Sequence, residues 1–171
     1  MLEMLMVVTV LTVAMSMLVR TLVSAAKLDP VLDENETAAE AARSQFESMR
    51  NHPFGEIFAR YNDSILDDPG LPGSAPGSRF HVPGLDPIVQ GGFVGRVDFP
   101  VTGGQLREDV NDDSLTMPRD LNGDGVVDAL DHSVDRILLP VKVTVEWKTA
   151  GSVSGPTSRR KLVFYTMFSE L

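Results

Sequence analysis

The chain has no cysteine, one tryptophan and two tyrosines among its 171 residues. Disulfides, thiol catalysis and zinc–thiolate sites are therefore excluded, an absence that fits any compartment. Basic residues are also scarce, 15 against 24 acids, for a formal charge of −9. None precedes Arg20. The first 27 residues contain one Glu, one Arg and one Lys, a net +1, which leaves −10 on the remainder. So acidic a body argues against nucleic acid and anionic lipid head groups as partners and is compatible with divalent cations. The recognisable catalytic motifs are missing too: there is no G-x-S-x-G elbow, no H-E-x-x-H and no phosphate-binding loop. His52, His81 and His132 are scattered, and His132, beside an Asp-rich loop, reads as solvent-exposed. Nothing here points to an enzyme.

What the chain does have is a continuous apolar run at its start. Residues 4–19 contain no charge, and the run continues through Arg20 to Ala26. A membrane-spanning helix needs about 20 such residues, and Arg20 is near enough to the end to snorkel. Two alternatives stand beside the span. Val23-Ser24-Ala25 resembles a signal-peptidase site, although a basic n-region is wanting, and a core helix would be equally apolar. Glu3 opens the run, and a carboxylate at a membrane segment is costly without a partner.

Beyond the run, Asp29-Pro30 predicts an interruption. The acids at 33–36 and Thr37 then favour a helix over 38–50, with Ala38, Ala42, Phe46 and Met49 on one apolar face. A short helix over 54–61 follows His52-Pro53. Pro-Gly pairs mark 63–92 as a turn-rich connector. Strands are predicted over 93–101, with Phe93, Val97 and Phe99 inward, and over 141–147, where Val141, Val143, Val145 and Trp147 alternate with polar residues. A further strand over 162–168 would pair with the second across a Gly/Ser/Thr/Pro-rich linker at 149–160. The fold class is thus α+β: a long helical stem, membrane-spanning in its first half, then a small antiparallel sheet domain. Its parts are a membrane or filament-core helix at 1–27, an amphipathic stem at 28–62, the connector at 63–92 and the sheet domain at 93–171.

Inside the sheet domain, residues 120–131 read D-L-N-G-D-G-V-V-D-A-L-D, the D-x-[DN]-x-[DN]-G spacing of a calcium loop with an acid in twelfth place. Asp120, Asn122 and Asp124 supply alternate oxygens, the Val126 carbonyl adds another, Asp128 acts directly or through water, and Asp131 closes the shell. Gly125 permits the turn. A structural calcium ion is the expected cofactor, pinning the loop ahead of the 141–147 strand. Aspartate in twelfth place resembles dockerin loops, but a single copy without a following helix is not a dockerin. Glu108-Asp109 and Asp112-Asp113 read as solvated acidic loop.

The stretch L-E-M-L-M-V-V-T-V-L-T-V, followed by an amphipathic helix and an antiparallel sheet, resembles type IV pilins and type II secretion pseudopilins, with Glu3 on the family's glutamate. The resemblance implies a filament subunit whose partners are other pilin-like subunits, packed through the N-terminal helix, and the inner membrane before assembly. It implies that Glu3 meets the amine of a neighbouring subunit. It also implies that a prepilin peptidase removes any leader upstream of Met1, with methylation of the new N-terminus. The expected location is a single-pass membrane protein with an exported C-terminal domain, then a periplasmic or cell-surface filament. The alternative is a secreted or membrane-anchored monomeric calcium-binding module with no filament role.

Overall fold

The computed structural model describes residues 2–149 and 159–170, and of residues 2 and 23–30 the backbone alone. The fold is α+β, an N-terminal apolar helix and an antiparallel sheet. Two compact units divide it, Met1–Glu36 and Thr37–Leu171.

Helix α1 is Leu2–Arg50. Its apolar part is confined to 20 residues, Glu3–Leu22, with mean hydropathy 2.0, long and apolar enough to cross a membrane. None of that stretch is buried, and its large side chains, from Val13 at 50% to Met4 at 79%, are exposed all round. Four hydroxyls interrupt the apolar surface, and each bonds back into its own helix. Thr12 donates to the Val8 carbonyl at 2.6 Å, Ser16 to Val13 at 2.8 Å, Thr21 to Met17 at 2.7 Å, and Thr9 to Leu5. Contrary to the sequence expectation, Asp29-Pro30 does not interrupt the helix. A proline inside a helix removes one backbone bond and bends the axis more readily than it ends a segment whose flanks both favour helix.

The second unit is built around one long hairpin. Strand β5, Leu138–Lys148, pairs along its whole length with β6, Arg159–Ser169, from Leu138↔Ser169 to Lys148↔Arg159. The connector sequence at 150–158 lies outside the described residues. The sheet order is β1-β2-β5-β6, with β1 at Arg79–Phe80 and β2 at Gly95–Asp98. The period-two pattern of β5 decides its faces. Leu139, Val141, Val143, Val145 and Trp147 are at most 1% exposed, while Lys142, Thr144 and Glu146 face outward. Ala38, Ala42 and Met49 of α1, together with Ile57, Phe58 and Tyr61 of helix α2 (Phe54–Tyr61), complete this core. As the periodicity predicts, the 38–49 stripe is the buried one, with Phe46 partly covered.

The strand expected over 93–101 is shorter than its apolar content suggests. Val97 and Phe99 are buried, but Phe93 is half exposed and stacks on His81 at 4.5 Å between ring centroids. Pairing begins only at Gly95, where the Phe80 ring lies so close that a β-carbon would approach it to 2.2 Å. A residue with a side chain could not bring β1 so near. A small hairpin absent from the sequence reading follows, β3 at Val101–Thr102 and β4 at Gln105–Leu106. It turns at Gly103-Gly104, both with positive φ. This hairpin delivers the chain to Glu108.

Candidate metal centre

The Asp-rich segment is organised by its own side chains. The Asp120 carboxylate accepts N–H bonds from Gly123 at 2.6 Å and Gly125 at 2.8 Å. The Asn122 side-chain Oδ1 accepts from Asp124 N at 3.1 Å, and Asp124 Oδ1 from Val126 N at 2.8 Å. Such side-chain turns coil the backbone around its carboxylates. Gly123 and Gly125 hold φ of 81° and 86°, a conformation that L side chains rarely adopt. The amide of Gly125, with those of its neighbours, holds the Asp120 carboxyl below its ordinary range. The amide of Leu130, reinforced by His132, does the same for Asp128. The bonded oxygens of Asp120 and Asp124 keep a second lone pair for a cation, whereas Asp128 Oδ1 is engaged by both Leu130 N and His132 Nε2.

This loop is clasped by a residue from outside it. Glu108 is fully buried. Its Oε1 accepts Leu121 N at 2.5 Å and Asn122 N at 3.2 Å, and its Oε2 accepts Asp128 N at 3.2 Å. One carboxylate thus ties the loop's beginning to its ninth residue. Leu121, also fully buried, roots the loop in the core, and its carbonyl accepts from Ile137 N and Leu138 N at the start of β5. The loop and β5 therefore share an anchor.

His132 is 3% exposed, so its expected place in solvent is corrected. So is that of Glu108. His132 Nδ1 lies 3.1 Å from Asp135 Oδ1, and Nε2 lies 3.1 Å from Asp128 Oδ1 and 3.7 Å from Glu108 Oε2. Burial acts to lower the imidazole pKa, but the bonds to Asp128 and Asp135 and the charge of Glu108 together outweigh it, and the net shift is upward. Arg136, equally buried, reaches the other way. It donates to the Ser133 carbonyl and, at 2.9 Å, to that of Gly55, its guanidinium lying over the rings of Phe54 and Phe58. Burial lowers its pKa.

The six residues read from the sequence thus fall into separate settings. Asn122 and Asp124 are drawn together, with Asn122 Nδ2 at 3.3 Å from Asp124 Oδ2 and the Val126 amide closing onto Asp124, while Asp120 holds the amides of Gly123 and Gly125. Asp128 is engaged with His132 and Leu130. Asp131 Oδ1 accepts Leu106 N at 3.2 Å and Ser133 N at 3.1 Å, joining the loop to β4. Glu108, His132 and Asp135 were missed as a set. The signals available were the acid and histidine at 131–132 and a Glu after an alternating pair, too common to stand out. Among the described residues, Glu108, Asp128 and His132 each offer a ligand atom, all within 4.8 Å of one another. Glu3 lies in the first turn of α1 and is exposed. Comparison with protein-family models, with curated proteins and with solved structures finds no match to this chain.

Proposed function

We propose that this chain is a structural subunit, pilin-like or minor pseudopilin-like, of a type IV pilus or type II secretion filament. In this reading it is held in the inner membrane and then in the filament by residues 3–22, and displays the sheet domain outside. The observation that carries the reading is the apolar segment itself. It has 20 residues with no buried side, its four hydroxyls are satisfied internally, and Glu3 and Arg20 at its ends are its charged side chains. A surface like that is stable in lipid or among similar helices and unstable in water. Near the start of such a segment, Glu3 needs a cationic partner, and a neighbouring subunit's N-terminal amine supplies one. The test is Glu3→Ala in the native host. Incorporation into sheared or purified filaments should fall to background while the protein still accumulates in the membrane. Normal incorporation would refute the assembly role.

The second part of the reading is a structural calcium ion in the 120–131 loop, held by Asp120, Asn122, Asp124 and the Val126 carbonyl with water completing the shell. The depressed Asp120 carboxyl and the two left-handed glycines support it. Chelation should then lower the melting temperature of the full chain in detergent, since calcium at about 100 times its Kd contributes about 2.7 kcal/mol. An unchanged melt would remove the ion from the fold's support.

A further inference from the structure

We propose that Glu108, Asp128 and His132 form a second cation site, selective for a zinc-class divalent transition ion, which shares the 120–131 loop through Asp128 but none of the calcium ligands Asp120, Asn122, Asp124 and Val126. Three ligands converge there, two carboxylates and an imidazole, and two of them come from residues at most 3% exposed. A tetrahedral ion with ligands at about 2.0–2.1 Å separates them by about 3.3 Å. His132 Nε2 is already 3.1 Å from Asp128 Oδ1 and 3.7 Å from Glu108 Oε2. Seating an ion on His132 therefore moves Asp128 out and Glu108 in by a few tenths of an ångström each.

The surroundings are arranged as a metal-binding histidine requires. Asp135, 3.1 Å from Nδ1, holds a proton on that nitrogen and turns Nε2 towards the two acids, the carboxylate–histidine–metal pattern. Backbone amides of Leu121 and Asn122 fix the far oxygen of Glu108, and the His132 amide is tied to the Leu106 carbonyl at 2.9 Å. Little side-chain freedom is left to lose on binding. A bound ion takes the place of the contact between Nε2 and Asp128, with release of any proton held there. The imidazole nitrogen sets the selectivity, because calcium and magnesium take oxygen ligands and leave nitrogen to softer ions. The Asp128 side chain, about one-third exposed at 32%, leaves an entry and a place for water as fourth ligand.

The test is zinc titration of the full chain in detergent, with calcium held at millimolar concentration, by calorimetry in two buffers of different ionisation enthalpy. The expected result is one zinc per chain with uptake of about one proton by the buffer, and a visible d–d absorption when cobalt(II) is used instead. His132→Gln should weaken zinc binding by about 100-fold or more. Asp135→Asn, which keeps all three ligands, should weaken it by about 10–100-fold and so carries the test if the first variant does not fold. Asp113→Asn, at an exposed acid outside both sites, should leave zinc affinity within about twofold. Absence of zinc binding, binding indifferent to both histidine-side variants, or binding lost in Asp113→Asn would each overturn the proposal.

Discussion

Two valine-rich stretches of this chain meet opposite fates. Residues 7–13, V-V-T-V-L-T-V, are exposed on every side, whereas in 141–147, V-K-V-T-V-E-W, every second side chain is at most 1% exposed. Composition does not separate them, since both are rich in β-branched residues of high strand propensity. Period does. The first has no polar face, so no single protein surface can cover it, and its backbone satisfies itself as a helix. The second alternates with charged and hydroxyl residues, so it settles as a half-buried strand and finds its cover within its own chain. Among the described residues nothing covers the apolar helix, whereas the strand is covered within its own unit.

That contrast can be broken from either side. The largest effect is expected in the strand. Trp147→Ala removes the bulkiest side chain of the β5 inner face and should cost about 3–5 kcal/mol, read by denaturant unfolding of the domain. A loss below about 1 kcal/mol would mean that the core does not rest on this strand. Next comes Val10→Asp in the helix. An aspartate at the centre of a spanning helix costs about 2.5–3.5 kcal/mol. The variant should leave the membrane fraction while the sheet domain melts normally. Retention in the membrane would contradict the span.

The smallest effect sharpens the comparison on the outer face of β5, where polarity does modest work. Lys142 Nζ lies 2.7 Å from Asp112 Oδ2, and that bond, followed by those from Ser114, lowers the Asp112 pKa. A carboxyl depressed in the folded state contributes stability at pH above its unfolded pKa and loses it as pH falls through its folded pKa. Partly exposed, the pair should be worth about 1 kcal/mol or less. Asp112→Asn should therefore be slightly less stable than the parent at pH 7, and the gap should close in acid. A gap that widened on acidification would reverse the assignment.

The parts of the fold legible in sequence were those set by local period. The 38–49 stripe, helix α2 and the β5 alternation each follow from spacing that a neighbouring residue can enforce. The Asp120 loop was legible for the same reason, since its turns bond residues two to five apart. What escaped was decided at a distance. Glu108 reaches the loop across 13 to 20 residues of chain, and Asp131 meets Leu106 across 25. No pattern in the sequence marks such bonds, and a buried acid reads as an exposed one until its amide partners are known. Pro30 and Phe93 failed in the other direction, where a sound local rule was overruled by the helix continuing and by the strand starting late.

The absence of cysteine makes the assembly role directly measurable, because a single introduced thiol has no competitor. Val10→Cys, oxidised in the native membrane, should give disulfide-linked dimers, with multimers where filaments form, and adding Glu3→Ala should reduce them to background. Monomer alone in the parent background, or cross-links that persist unchanged without Glu3, would contradict a subunit that assembles through its apolar helix.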